Sequence, residues 1–266
     1  MDNVAQLLFA SEMCPRYIDT SLTWDDLVLD SETLQAVEHV LASARHQIEP
    51  PTSGGVTEQR KLGILSLFHG PQGTGKTLTT CLLGQMLGRS VYCVDLSTVV
   101  SKNLDETTLN LIKLLGEAQQ QNWLLMLEDA SNTLFSRSVP SMSDENVSCL
   151  LQRVEALPGL VIVKTNLQDV PAVFAAYFQS TIFFGMPEFS DRLRLWQRCF
   201  GPECVLSPEI DLLTVAREYE LSGGSIMNAF RYACVRRLER FPAVIALPDL
   251  LDGIQRELHK SSSEAA

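Results

Sequence analysis

A chain of 266 residues has room for one large core or two small ones, since domains usually run to about 100–200 residues, and 45% hydrophobic with 20% charged residues is an ordinary globular balance. A formal net charge of -11 works against a protein that tracks nucleic acid, because phosphate backbones are gripped by clustered Lys and Arg.

In chain order, the start MDNVAQLLFASEMCPRY lacks the basic n-region and the apolar length of a signal peptide. Nowhere do about 18 apolar residues run together, so no membrane anchor is expected. Residues 1–60 read as a lead-in, with the run TWDDLVL, a helix over Ser31 to His46 and the breaker run EPPTSGG. Residues 61–186 alternate short apolar runs with helical periods: ILSLF, LTTCLLGQML, SVYCVDL, LNLIKLLGEAQQQ, WLLMLE, SCLLQRVEAL, LVIVKT and STIFF. Continuous apolar strands separated by helices predict an α/β fold, with five parallel strands covered on both faces. Residues 187–260 carry four helical stretches and no strand signal, which predicts a small all-helical domain, and residues 261–266 read as a disordered tail. Seven cysteines stand far apart with no C-x-x-C pair, which suits reduced thiols, a cytoplasmic address and no zinc site.

The run GPQGTGKT fits G-x-x-x-x-G-K-[ST] and lies between a predicted strand and a predicted helix, as a phosphate loop must. Gly70, Pro71, Gln72, Gly73, Thr74 and Gly75 would let the backbone curl so that its N–H groups face the phosphates, with Leu78 completing the first helical turn. Lys76 would reach the β- and γ-phosphates and the Thr77 hydroxyl would ligate Mg²⁺. ATP and Mg²⁺ are therefore the expected ligands. His69, at the strand end before the loop, reads as structural, and Trp196 and Phe200 read as core of the helical domain.

With these pieces in order, together with WDDLVL, VYCVDLSTVVSK, SCLLQRVEALPGLVIVKTN, FQS, MPEFSDRLRLW and LSGG, the chain resembles the AAA+ ATPases, most closely a bacterial branch encoded with contractile injection systems. The resemblance implies a P-loop αβα sandwich with a helical lid, ATP held beside a neighbouring subunit, and Asn166 as the polar residue that helps orient the attacking water. It also implies a protein partner or an AAA+ paralogue in a homo- or hetero-oligomer. No nucleic acid or membrane is called for.

The catalytic positions depart from that pattern. Counting from Trp123, Glu128 takes the place of the magnesium-supporting Asp and Asp129 that of the water-activating Glu; counting back from Leu134 and Phe135, Asp129 supports the metal and Ala130 replaces the base. On both counts the pair differs from the usual Asp-Glu, and a base displaced by one methylene exceeds the roughly 0.5 Å tolerance of a catalytic constellation. Where relatives place two arginines that reach a neighbour's ATP, this chain has Phe174, Ala175, Ala176, Tyr177 and Phe178. Asn103 and Leu104 stand where a polypeptide-gripping aromatic belongs, and Met227 where the lid has an arginine, with Arg231 one turn on. Two functions follow as expectations: an ATP-dependent remodelling or assembly factor with weakened hydrolysis, or a pseudo-ATPase scaffold that binds ATP without turnover. Arg137 and Arg153 are candidate replacement donors for the first.

Overall fold

The computed structural model describes residues 14–48, 63–99, 104–128, 154, 159–200, 204–238 and 244–264. The chain opens with a short strand β1 (Arg16–Ile18), a 3-10 turn (Trp24–Asp26) and helix α1 (Ser31–Ile48). Then come β2 (Ile64–His69), α2 (Lys76–Leu87), β3 (Val91–Asp95), α3 (Leu96–Val99), α4 (Leu104–Gln120), β4 (Leu124–Glu128) and β5 (Leu160–Lys164). Last are α5 (Ala172–Ala175), β6 (Ser180–Phe183), α6 (Phe189–Cys199), α7 (Leu212–Glu218), α8 (Gly223–Arg237) and α9 (Leu247–Glu264). By its contacts the chain divides into two units. One comprises Met1–Thr23, Glu32–Gly70 and Lys76–Phe183, and the other Trp24–Ser31, Pro71–Gly75 and Phe184–Ala266.

In the first unit the five apolar runs are the five parallel strands that the sequence predicts. They lie in the order β3-β4-β5-β2-β6, so β5 separates β4 from the strand that feeds the phosphate loop. A sixth strand, β1, adds to the edge of β3 and runs antiparallel, with Arg16 opposite Cys93. Three residues, RYI, carry too little apolar pattern to mark a strand in advance. One face of the sheet packs Leu65, Leu67, Leu125, Leu127, Val161 and Val163 with Leu111 and Leu114 of α4. The other face meets α2: a Cβ on Gly84 would lie 2.2 Å from Val91 Cγ2, so helix and β3 approach as closely as glycine allows. Val91, Cys93 and Asp95 share that face by alternation, and their partners in register, Leu124, Met126 and Glu128, share it too. Thr33 of α1 donates to the Phe183 carbonyl at 3.0 Å and fastens α1 to β6.

The second unit has its own core, with Trp196, Val215, Ile226, Ala229, Leu250 and Ile254 all buried. Arg192, also buried, donates from Nε to the Ala216 carbonyl at 2.9 Å and from Nη1 to the Pro187 carbonyl at 2.8 Å, tying the entry of α6 to α7. Helix α9 runs on to Glu264, past the boundary at 260 read from the sequence, since HKSSSE holds no Gly or Pro to stop it. Helices α8 and α9 cross closely at Gly253, where a Cβ would sit 2.7 Å from the Ala229 carbonyl oxygen. At an exposed helical site Gly→Ala would stabilise by roughly 0.5–1 kcal/mol, but here overpacking should win and Gly253→Ala should cost about 1–3 kcal/mol. Urea unfolding followed by circular dichroism reads the sign, and a gain in stability would refute the close crossing.

Candidate functional site

Strand β2 runs directly into the loop, and the loop into α2, whose first residue is Lys76. Gly70, Gly73 and Gly75 have φ of 125, 79 and 107°, values that side chains with a Cβ rarely adopt, so the curl depends on glycine. Lys76 is buried, and its Nζ donates to the Gly70 carbonyl at 2.6 Å. Burial, with the charge of Lys164 added, lowers the Lys76 pKa to about 8. Thr77 and Leu78 are half-buried in the first turn, and the Thr80 hydroxyl donates to the Lys76 carbonyl at 2.9 Å. Backbone N–H groups at this helix start are left without helical partners, which is what an anion needs.

Residues Pro71–Gly75 group with the helical unit. Within that unit the Gly224 N–H donates to the Gly73 carbonyl at 2.8 Å, and a Cβ on Gly73 would lie 2.4 Å from Ser222 Oγ. Ser222 is the N-cap of α8, accepting from the Ser225 N–H at 3.2 Å. A Cβ on Gly75 would touch Leu27 and Leu29, and the Thr74 hydroxyl donates to the Pro71 carbonyl at 2.9 Å. The sequence reading gave Ser222 and Leu27 no such role. The Ser-Gly-Gly start of a helix was the available signal for Ser222.

Glu128, the last residue of β4, is half-buried and has three partners. Lys164 Nζ donates to its Oε1 at 2.7 Å, Arg16 Nη2 lies 3.6 Å from its Oε2, and Cys93 hydrogen-bonds to it. Burial by itself would raise the Glu128 pKa, but the bonds from Cys93 and Lys164 and the charges of Lys164 and Arg16 outweigh it and hold the carboxyl below its ordinary value. Asn166 lies two residues past β5 and is exposed. His69 Nδ1 donates to the Gln168 carbonyl at 3.0 Å, and burial lowers its pKa, so the ring is a neutral clamp between β2 and the chain after β5. Phe174 and Tyr177 pack against the sheet core, Phe178 is buried, and Ala176 is exposed. Asp129, Ala130, Asn103, Arg137, Arg153 and the run SCLLQRVEAL, apart from Val154, lie outside the described residues.

The fit of Mg²⁺ to this site turns on its carboxylate. Thr77 stands where a hydroxyl ligand belongs, but the Glu128 carboxylate already holds two cationic side chains. Among the described residues no group of three His, Cys, Asp or Glu could hold a metal ion. Asp129, the other carboxylate that the sequence offers for the metal, lies outside the described residues.

Cys93 is buried, and burial together with its bond to Glu128 pushes its pKa up to about 12; burial pushes Cys81, on α2, up to about 11. At pH 8 a thiol at 12 is about one part in 10⁴ thiolate, and the thiolate is the reactive form. Iodoacetamide at pH 8 should therefore label the exposed Cys14 quickly and leave Cys81 and Cys93 unlabelled until the protein unfolds. Peptide mass mapping checks this, and rapid native labelling of Cys93 would contradict the packing.

No helix among the described residues is long and apolar enough to cross a membrane. In sequence, the chain is 29% identical over 170 residues to the uncharacterized AAA family ATPase y4kL of Sinorhizobium fredii, covering 62% of this chain and 50% of that protein. It is 25% identical over 245 residues to protein CdcH of Halobacterium salinarum (83% and 32%) and 25% over 208 residues to the human ATPase family gene 2 protein homolog A (73% and 23%). The chain thus spans half or less of the length of these relatives. In fold it is similar to a chain from a solved structure reported as the structural basis for katanin self-assembly, with a TM-score of 0.60, 18% identity, and coverage of 89% and 85%. Residues 66–186 match the profile of the ATPase family associated with various cellular activities, and the chain has the corresponding fold, an αβα domain with a mostly parallel sheet followed by a helical part.

Proposed function

We propose that this chain binds ATP at Gly70–Thr77 and works on a protein partner as a remodelling or assembly factor, with hydrolysis weakened when it acts alone. The observation that carries the weakening is the Glu128 carboxylate, closed off by Lys164 at 2.7 Å and Arg16 at 3.6 Å. A carboxylate so held is poorly placed to serve a metal ion or a water molecule. The loop curled on three glycines, with Lys76 bonded to the Gly70 carbonyl, supports the binding half. The same closure favours the second reading, a scaffold or regulatory subunit that clamps ATP without turnover.

Phe174 and Tyr177 support a further part of this reading. At the stretch where relatives carry two arginines, these side chains pack into the chain's own core, so an arginine for a shared ATP site has to come from elsewhere in the chain, with Arg137 and Arg153 as candidates, or from a paralogue. We take the bound nucleotide to be ATP rather than GTP on the resemblance alone, and on the same ground a component of a contractile injection system is the first partner to try. Nucleotide binding and phosphate release, measured on one preparation with and without candidate paralogues, test the proposal. Binding with little release, rising when a paralogue is added, is the expected result. A folded protein that binds no nucleotide would end it.

A further inference from the structure

Cys199, Cys204 and Cys234 gather in the helical unit, where the end of α6 meets α8. Cys199 closes α6, and Phe200 beside it packs edge-on against Phe230 of α8, with ring centroids 5.1 Å apart. Cys234 stands one turn beyond Phe230, and both Cys199 and Cys234 pack against the core of the unit. Cys204 enters from the chain between α6 and α7. Its thiol is hydrogen-bonded to that of Cys234, and Arg237, one turn past Cys234, donates from Nη1 to the Cys204 sulfur at 3.8 Å. Backbone bonds fix this approach, since the Ile245 N–H donates to the Val205 carbonyl at 3.0 Å and the Ser207 N–H to the Ile245 carbonyl at 2.9 Å.

The surroundings give these thiols different chemistry. Burial, with Cys234 and Cys204 adding to it against the charge of Arg231, pushes the Cys199 pKa up to about 11, so this thiol stays protonated near neutral pH. A guanidinium bonded to sulfur favours negative charge there, and the thiolate is the form that attacks a disulfide. Arg237 gives that contact to Cys204, which is half-buried and not sealed in the core. We infer that Cys204 and Cys234 are a reversible redox pair, Cys204 attacking and Cys234 resolving, that is oxidised by small-molecule disulfides of the glutathione type. The Cys204 thiolate attacks one sulfur of the small disulfide, which forms a mixed disulfide and releases one thiolate to take up a proton. Cys234, its proton passed to solvent, then attacks the Cys204 sulfur and expels the second small thiol. In sum, two protein thiols give up two electrons and two protons, and the small disulfide becomes two thiols. A reducing environment returns the pair to the free thiols of this structure. The bond would close a loop of chain that holds α7 and Ser222, the cap of α8. The inference stands apart from the nucleotide-binding reading.

The test is disulfide mapping on the full native chain. The protein is held at pH 8 in millimolar glutathione disulfide, quenched with N-ethylmaleimide and digested without reduction for mass spectrometry. A peptide joining Cys204 to Cys234 should be the main internal product, with Cys199 alkylated. Cys234→Ser should instead accumulate glutathione on Cys204, and Cys204→Ser should leave Cys234 about tenfold or more less modified over the same time. A link that forms only after unfolding in urea, a link through Cys199, or glutathione on both cysteines of the unaltered native chain without a link overturns the inference. So does the reverse order, with Cys234 readily modified in Cys204→Ser and Cys204 unreacted in Cys234→Ser.

Discussion

Lys76→Ala should erase the thermal shift that ATP gives the unaltered chain. A ligand at about 100 times its dissociation constant adds roughly 2.7 kcal/mol to the folded state, which for a chain of this size is a rise of about 5–10 °C. In the proposed site the lysine would supply the point charge that meets the phosphates, and alanine would leave the curled loop with backbone N–H groups alone. Lys76 is buried and bonded to the Gly70 carbonyl, so its removal also acts on the empty protein. Lys76→Met, which keeps most of the volume, separates the two effects: both variants should lose the shift, whatever their own melting temperatures. A variant that keeps the full shift would mean that ATP binds elsewhere.

Turnover by the chain alone should be slow, below about 0.1 s⁻¹, if a median enzyme runs near 10 s⁻¹ and a lost general base costs about 10²–10⁴. A missing arginine finger would lower the rate further, since such a residue is worth about 10³–10⁵. A phosphate-release assay at saturating ATP reads this directly. Turnover of several per second would show that Asp129 or an arginine outside the described residues restores what Glu128 and Tyr177 lack. The place to graft a finger back is Ala176, which is exposed, and not Tyr177, which packs against the core.

The elements that were legible in the sequence are those whose signal is local. ILSLF, VYCVD, LLMLE, LVIVK and STIF are apolar runs bounded by polar residues or turns, and each is a strand. GPQGTGKT announces its loop by spelling and context alike. What stayed hidden depends on partners far along the chain. RYI becomes a strand only because β3 offers an edge, and Lys164, inside the run LVIVKT, carries no local sign that it meets Glu128, 36 residues away. Ser222 against Gly73 is of the same kind, a close approach across the chain that no periodicity encodes. The resemblance supplied Asn166 as a candidate, and the structure places it, exposed, two residues beyond β5.

The antiparallel strand β1 has a kinetic consequence. Arg16 meets Cys93, 77 residues further on, so the strand made early has nothing to pair with until β3 has been synthesised and ordered. Closing so long a loop for three paired residues gains little against its entropy, which makes β1 a late addition in folding and an early loss in partial unfolding. Each loss bares the backbone of β3, an open template for pairing with another chain, and frees Arg16 from Glu128 in the same event. Hydrogen exchange along Val91–Asp95 should therefore be faster than along the interior strands. The hazard of edge-to-edge association and the Arg16–Glu128 ion pair thus follow one three-residue fraying equilibrium.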